Sequence, residues 1–253
     1  MITETTTLDI YGGLQNTSEE WGRMQLIYDA ALREVNTKLE TLNNEFKMKH
    51  QYNPIEHMTS RIKSPESIAK KLRHNGREIT VENIARYIND VAGIRIICSF
   101  TSDIYRIAKL ISRQTDVTVL KVKDYIEHPK PNGYKSYHMI ISVPIFLAEN
   151  VINTKVEIQI RTIAMDFWAS LEHKMYYKFE GNAPESIRRE LKECADLVSF
   201  LDRKMLAINE EIKRYSGETE EEPEEIDGEL KELYGTVLED TIAYEETIVT
   251  NMQ

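Results

Sequence analysis

Hydrophobic positions recur every three or four residues at the start of the chain. Met24, Tyr28, Ala31, Val35, Leu39, Leu42 and Phe46 mark one helical stripe across residues 18–49. Tyr52-Asn53-Pro54 reads as the turn that ends it. Residues 61–63 follow as a short strand, and Ser64-Pro65 opens a helix with serine as N-cap and proline at the first position. A short helix is predicted at 81–88. Period then switches to two: strands are predicted at 93–100, 116–126, 136–143 and 154–161, with an amphipathic helix at 102–113 and a Pro/Asn/Gly loop at 127–133. The order of strands and helices implies an α+β fold, a mixed sheet of about five strands flanked by helices. A helix at 162–179, with Trp168, Leu171 and Met175 on one face, precedes a break at 181–184. The last helix carries Ile187, Leu191, Cys194, Val198, Leu201, Met205, Ile208 and Ile212 in alternating steps of four and three, a coiled-coil-like stripe. That stripe suits packing within one subunit and packing between subunits equally. Four segments result: an N-terminal helical segment (1–50), the α+β domain (51–180), a C-terminal helix (184–214) and an acidic tail (215–253) that reads as disordered.

Charge alters this picture in one respect. The 253-residue chain has a formal charge of −10, but residues 215–253 hold 13 acids and one lysine, so residues 1–214 are near neutral with 31 bases against 29 acids. A body without basic excess does not indicate RNA binding, whereas locally clustered cations suit a small polyanionic ligand. No apolar run approaches the length of a membrane span, and Cys98 and Cys194 form neither a CxxC pair nor a disulfide framework. A cytoplasmic protein without structural zinc is the expectation.

Four stretches can carry chemistry. In 154–161 alternation places Lys155, Glu157, Gln159 and Arg161 on one face of a strand, where they can grip a phosphorylated ligand; a solvent-facing strand shows the same pattern. In Asp90-Val91-Ala92-Gly93-Ile94-Arg95, an arginine interrupts an apolar strand, and Asp90 precedes it. Asp90 and Glu157 can share one Mg²⁺ if their strands are neighbours. Arg61, Lys63, Ser67 and Lys71 surround a helix N-terminus and form a candidate cationic cradle. The 127–138 stretch presents Lys130 and Tyr134, an aromatic platform beside a phosphate contact. Neither GxxxxGK[ST] nor GxGxxG occurs, so phosphates would be held by side chains rather than by a glycine nest.

Taken together, RIKSPESIAKK (61–71), DVAGIR (90–95), KDYIEHPKPNGYKSYH (123–138) and VEIQIRT (156–162) followed by Phe167-Trp168-Ala169 resemble the synthetase domain of the RelA/SpoT homologue family. The resemblance implies a nucleotidyltransferase-like fold with long N- and C-terminal helices. It implies transfer of pyrophosphate from ATP to the 3′-hydroxyl of GDP or GTP. Arg61 and Arg95 would sandwich adenine, and Lys63, Ser67 and Lys71 would bind the ATP phosphates. Asp90 and Glu157 would hold Mg²⁺ and serve catalysis. Tyr134 would stack on guanine, with Lys123, Lys130, His138, Lys155, Gln159 and Arg161 on the acceptor side. The absence of a His-Asp dipeptide matches the short, synthesis-only members, which assemble as homotetramers. Members activated by their product use a basic first helix; Asn36, Glu40 and Asn43 stand there instead, so product activation is not expected. Transfer to another 3′-hydroxyl, on an adenosine nucleotide or a tRNA end, and a non-catalytic nucleotide- or RNA-binding role remain the alternatives.

Overall fold

A helical stripe of apolar residues needs an apolar surface to lie on, and in the computed structural model that surface is one face of a five-stranded sheet. The structure describes residues 17–50, 52–177 and 183–216. Helix α1 (Thr17–His50) is followed by β1 (Ile55–Ile62), α2 (Pro65–His74), α3 (Val81–Tyr87) and β2 (Ala92–Cys98). Then come α4 (Thr101–Arg113), β3 (Thr118–Asp124), β4 (Tyr137–Phe146), β5 (Val151–Thr162), α5 (Ile163–Tyr177) and α6 (Glu185–Ser216). Two units divide the chain, Met1–Ala207 and Ile208–Gln253; in the second, the described residues are the end of α6. The expected break at 181 and the acidic tail beyond 216 lie outside the described residues.

Strand order is β1-β2-β5-β4-β3, with β2 and β5 parallel and all other pairs antiparallel. The mixed α+β sheet expected from the sequence is therefore present. Alternation splits its residues cleanly. Ile94, Ile96, Met139, Ile141, Val156, Ile158 and Ile160 are buried in one core with Tyr28, Ala31, Leu32, Val35 and Leu39 of α1 and Ile104, Ile107 and Ile111 of α4. Burying side chains of this size contributes about 1.5–3 kcal/mol each. The opposite face carries Arg61, Arg95, Glu157, Gln159 and His138, and it is left open along most of its length.

Three expectations change. β1 is an eight-residue strand rather than three, because it is an edge strand: its polar residues His57, Thr59 and Ser60 are exposed, so hydrophobic alternation does not report it. On α5, Trp168 is buried but Leu171 and Met175 are exposed. On α6, Leu191 and Ala195 pack with Trp168, Ala169 and Tyr134, whereas Leu197, Phe200, Leu201 and Met205 stay exposed. The coiled-coil-like stripe thus satisfies only its first turns within unit 1. The docking is close: the Trp168 Nε1–H donates to the Leu191 carbonyl at 2.9 Å, and Thr162 donates to buried Asp202 at 2.9 Å. Gly133, at φ 88°, comes so near α6 that an added Cβ would stand 2.5 Å from that of Ala195.

Candidate active site

Register brings the polar residues into rows across the open face. Thr59, Arg95, Gln159, His138 and Lys123 are aligned across the five strands, and Arg61, Gly93, Glu157, Ile140 and Lys121 form the next row. Gly93 contributes no side chain between Arg61 and Glu157, leaving the floor bare between them.

Asp90 lies just ahead of β2, where the Lys63 amide donates to the Val91 carbonyl at 2.8 Å and so ties the end of β1 to the same point. Helix α2 supplies the second cation. Ser64 caps it by accepting from the Ser67 amide at 3.3 Å, Pro65 begins it, and Ile68 and Leu72 anchor it in the core, which turns Lys71 toward Asp90. Lys63 and Lys71 reach the two Asp90 oxygens at 2.7 and 2.8 Å. Burial pushes the Asp90 pKa up, but the hydrogen bonds and charges of the two lysines outweigh it, and the net direction is down. The group is a carboxylate at neutral pH with two ammonium donors already in place.

Glu157 belongs to a closed ring of hydrogen bonds. Gln159 donates to Glu157 at 2.9 Å and accepts from Arg161 at 3.3 Å; Arg161 donates to the Tyr134 hydroxyl at 2.6 Å. The Tyr134 hydroxyl also meets His138 Nε2 at 2.9 Å. His138 Nδ1 stands 3.4 Å from Glu157 and closes the ring. Burial raises the Glu157 pKa, hydrogen bonds from His138 and Gln159 lower it, and the net direction is again down.

Both carboxylates line the same two pockets. One, of about 130 Å³, is bounded by Lys71, Asn89, Asp90, Lys121, Lys123, His138 and Glu157. The other, of about 190 Å³, runs past Thr59, Arg61, Asp90, Gly93, Arg95, Glu157 and Gln159. The two acids thus lie on one side of the sheet and face one space. Two ionised carboxylates suit Mg²⁺, which takes one or two protein carboxylates and completes its shell with water and phosphate. Among the described residues no cluster of three or more His, Cys, Asp or Glu offers an all-protein metal cage.

Other residues sit less directly. Ser67 is exposed at the cap of α2, and Lys130 lies 4.9 and 4.7 Å from the ring centres of Tyr125 and Tyr134. Arg161 is only 5% exposed and holds the ring together from behind, its guanidinium 5.1 Å from the Tyr134 ring centre. Lys155 lines neither pocket itself; it donates to the Arg86 carbonyl and to Asn89, a wall of the first pocket, at 3.1 Å. The sequence reading missed Lys121, Asn89 and Asp166. Lys121 was legible, two residues before Lys123 on the same strand. Asp166, which pairs with Arg161 at 2.9 Å and Arg95 at 3.5 Å, was not, because it belongs to a helix whose docking only the fold specifies.

An open sheet face with two carboxylates between sets of lysines and arginines defines a site for phosphorylated ligands. A family model described as the region found in RelA/SpoT proteins matches residues 60–182. The chain is 49% identical over 199 residues to the GTP pyrophosphokinase YwaC of Bacillus subtilis (strain 168), covering 79% of this chain and 95% of the relative. The crystal structure of small alarmone synthetase 2 from Bacillus subtilis superposes with a TM-score of 0.70 at 48% identity, covering 76% of this chain and 99% of that one. Small alarmone synthetase 1 from the same organism, bound to its product pppGpp, superposes at 0.71 with 35% identity, covering 78% and 100%. The chain belongs to the RelA/SpoT family, and its relatives include small alarmone synthetases.

Proposed function

We propose that the protein is a GTP/GDP pyrophosphokinase, transferring the β,γ-pyrophosphate of ATP to the 3′-hydroxyl of GDP or GTP and releasing AMP. The observation that carries this reading is the convergence of Asp90 and Glu157 on one pocket, between the Lys63/Lys71 pair and the Tyr134–His138 ring. Relatives named for this activity, one of them bound to pppGpp, support the choice of nucleotides.

The lysines explain how the donor enters. Lys63 and Lys71 neutralise Asp90 in the free protein, and a triphosphate offers them better-matched oxygens, freeing Asp90. Mg²⁺ would be held by Asp90 and Glu157 and, when bound, would offset phosphate charge. Arg61 and Arg95 flank the second pocket and would clasp the adenine, with Ser67 near the phosphates. On the acceptor side Tyr134 would stack on guanine, with His138, Gln159, Lys123 and Lys130 around it; Arg161 acts through the ring, and Lys155 from its place beside Asn89. The acceptor 3′-oxygen attacks the β-phosphorus of ATP, and a new oxygen–phosphorus bond forms. The bond from the β-phosphorus to the α-phosphate oxygen breaks, AMP departs with that oxygen, and the 3′-proton passes to Glu157. Such transfers depend chiefly on positioning and charge neutralisation. A homotetramer in the cytoplasm is the expected working form, with the uncovered apolar residues of α6 available for assembly.

The test is direct. Purified protein with ATP, GDP or GTP and Mg²⁺ is expected to yield AMP and guanosine 3′-pyrophosphates in equal amounts by anion-exchange chromatography. Pyrophosphate appearing on an adenosine nucleotide or tRNA end in preference to GDP or GTP would displace the reading.

A further inference from the structure

Three guanidinium groups lie near enough on the open face for their charges to act on one another. Arg61 and Arg95 line one pocket, and Arg161, level with Ile97, is one diagonal step from Arg95 on the neighbouring strand. Burial lowers the Arg95 pKa, and the charges of Arg161 and Arg61 lower it further; among the charges acting on it, Asp166 opposes them, with a smaller contribution from Tyr134. Asp166 stands in the first turn of α5, whose start is fixed by Thr162: its hydroxyl accepts from the Met165 amide at 3.1 Å and donates to Asp202. A single Asp166 oxygen, Oδ1, meets Arg161 at 2.9 Å and Arg95 at 3.5 Å.

The two arginines depend on that carboxylate very differently. Arg161 also donates to Ser136, Tyr134 and Gln159, so its place is determined several times over. Arg95 is held by less: among the described residues its buried Nε has no hydrogen-bond partner, and Asp166 is the carboxylate it pairs with. Two like charges push on Arg95, and one carboxylate holds it over the pocket.

We infer that Asp166 is a positioning residue for the donor nucleotide, holding the Arg95 guanidinium over its pocket against repulsion from Arg61 and Arg161. The inference rests on the reading of that pocket as the ATP side. Removing the charge of Asp166 lets Arg95 withdraw, weakening ATP binding while leaving the acceptor side, secured through the remaining partners of Arg161, nearly intact.

A double-mutant cycle tests this, reading binding of a non-hydrolysable ATP analogue by calorimetry alongside the KM for GDP. Asp166→Asn is expected to weaken analogue binding about five- to tenfold, within the range of coupled ion pairs. It should leave the GDP KM within about twofold and the melting temperature close to that of the parent. In an Arg95→Ala background the same substitution is expected to have no further effect on analogue binding. Asp166→Glu, which keeps the charge, should retain binding within about threefold. Parent-like analogue binding by Asp166→Asn overturns the inference, as does an equal loss in the Arg95→Ala background or in Asp166→Glu. Failure of the unsubstituted protein to bind the analogue would instead remove the assignment of the pocket to ATP.

Discussion

At the scale of single residues, the site is built from charges that neutralise one another until a ligand arrives. Glu157 touches both His138 and Gln159 and faces the pocket it shares with Asp90, which makes it the group best placed to take the acceptor proton. Replacing it with glutamine keeps the shape and removes the base, and general-base contributions run to about 10²–10⁴-fold. Glu157→Gln is therefore expected to retain less than about a tenth of the parent turnover, while analogue binding measured by calorimetry persists. Asp90 supplies a pH signature. Its folded pKa lies below the unfolded value of about 3.9, so its pairing stabilises the protein above that pH and is lost as pH falls through the folded value. The melting temperature of Asp90→Asn is expected to lie below that of the parent at pH 7. The difference should close only below about pH 4, followed by differential scanning calorimetry.

Secondary-structure elements decide how those residues meet. Parallel pairing of β2 with β5 aligns Gly93 with Glu157 and Arg95 with Gln159, and antiparallel β4 brings His138 beside Gln159. A slip of one residue in either pair would turn the polar side chains of the slipped strand into the core. The loop that carries Tyr134 is held by α6 through the contact at Gly133, where neither a Cβ nor a right-handed backbone fits. Gly133→Ala is expected to cost about 1–3 kcal/mol through overpacking and backbone strain. It should also raise the GDP KM more than the ATP KM, because the loop serves the acceptor side; steady-state kinetics and thermal unfolding check both. Adding Ala195→Gly removes the clash but not the strain, so recovery of stability should be partial.

For the whole molecule, the uncovered apolar surface of α6 is the feature that a single chain leaves unexplained. Leu197, Phe200, Leu201 and Met205 repeat at helical spacing, and Phe200 and Leu201 are more than half exposed at 58% and 57%. Exposed apolar stripes of this kind mark association surfaces. The double substitution Phe200→Glu, Leu201→Glu is expected to give a smaller species than the parent by multi-angle light scattering. The far-ultraviolet helical signal should be preserved, since neither side chain is part of the core.

Much of this was written in the residue order. Alternation through Val156, Ile158 and Ile160 announced which side of β5 is polar, and Ser64-Pro65 announced the start of α2, because both depend on neighbours within a few positions. The helical stripe of α1, the five-stranded α+β sheet and the candidate carboxylates were legible for the same reason. What no local pattern carries is the partner of each element. The eight-residue length of β1 comes from its pairing with β2, the burial of Arg161 from α5 lying over its strand, and the role of Asp166 from the same docking. The half-covered stripe of α6 was ambiguous for the same reason: period tells which face of a helix is apolar, and only tertiary packing decides how much of that face the chain itself can cover.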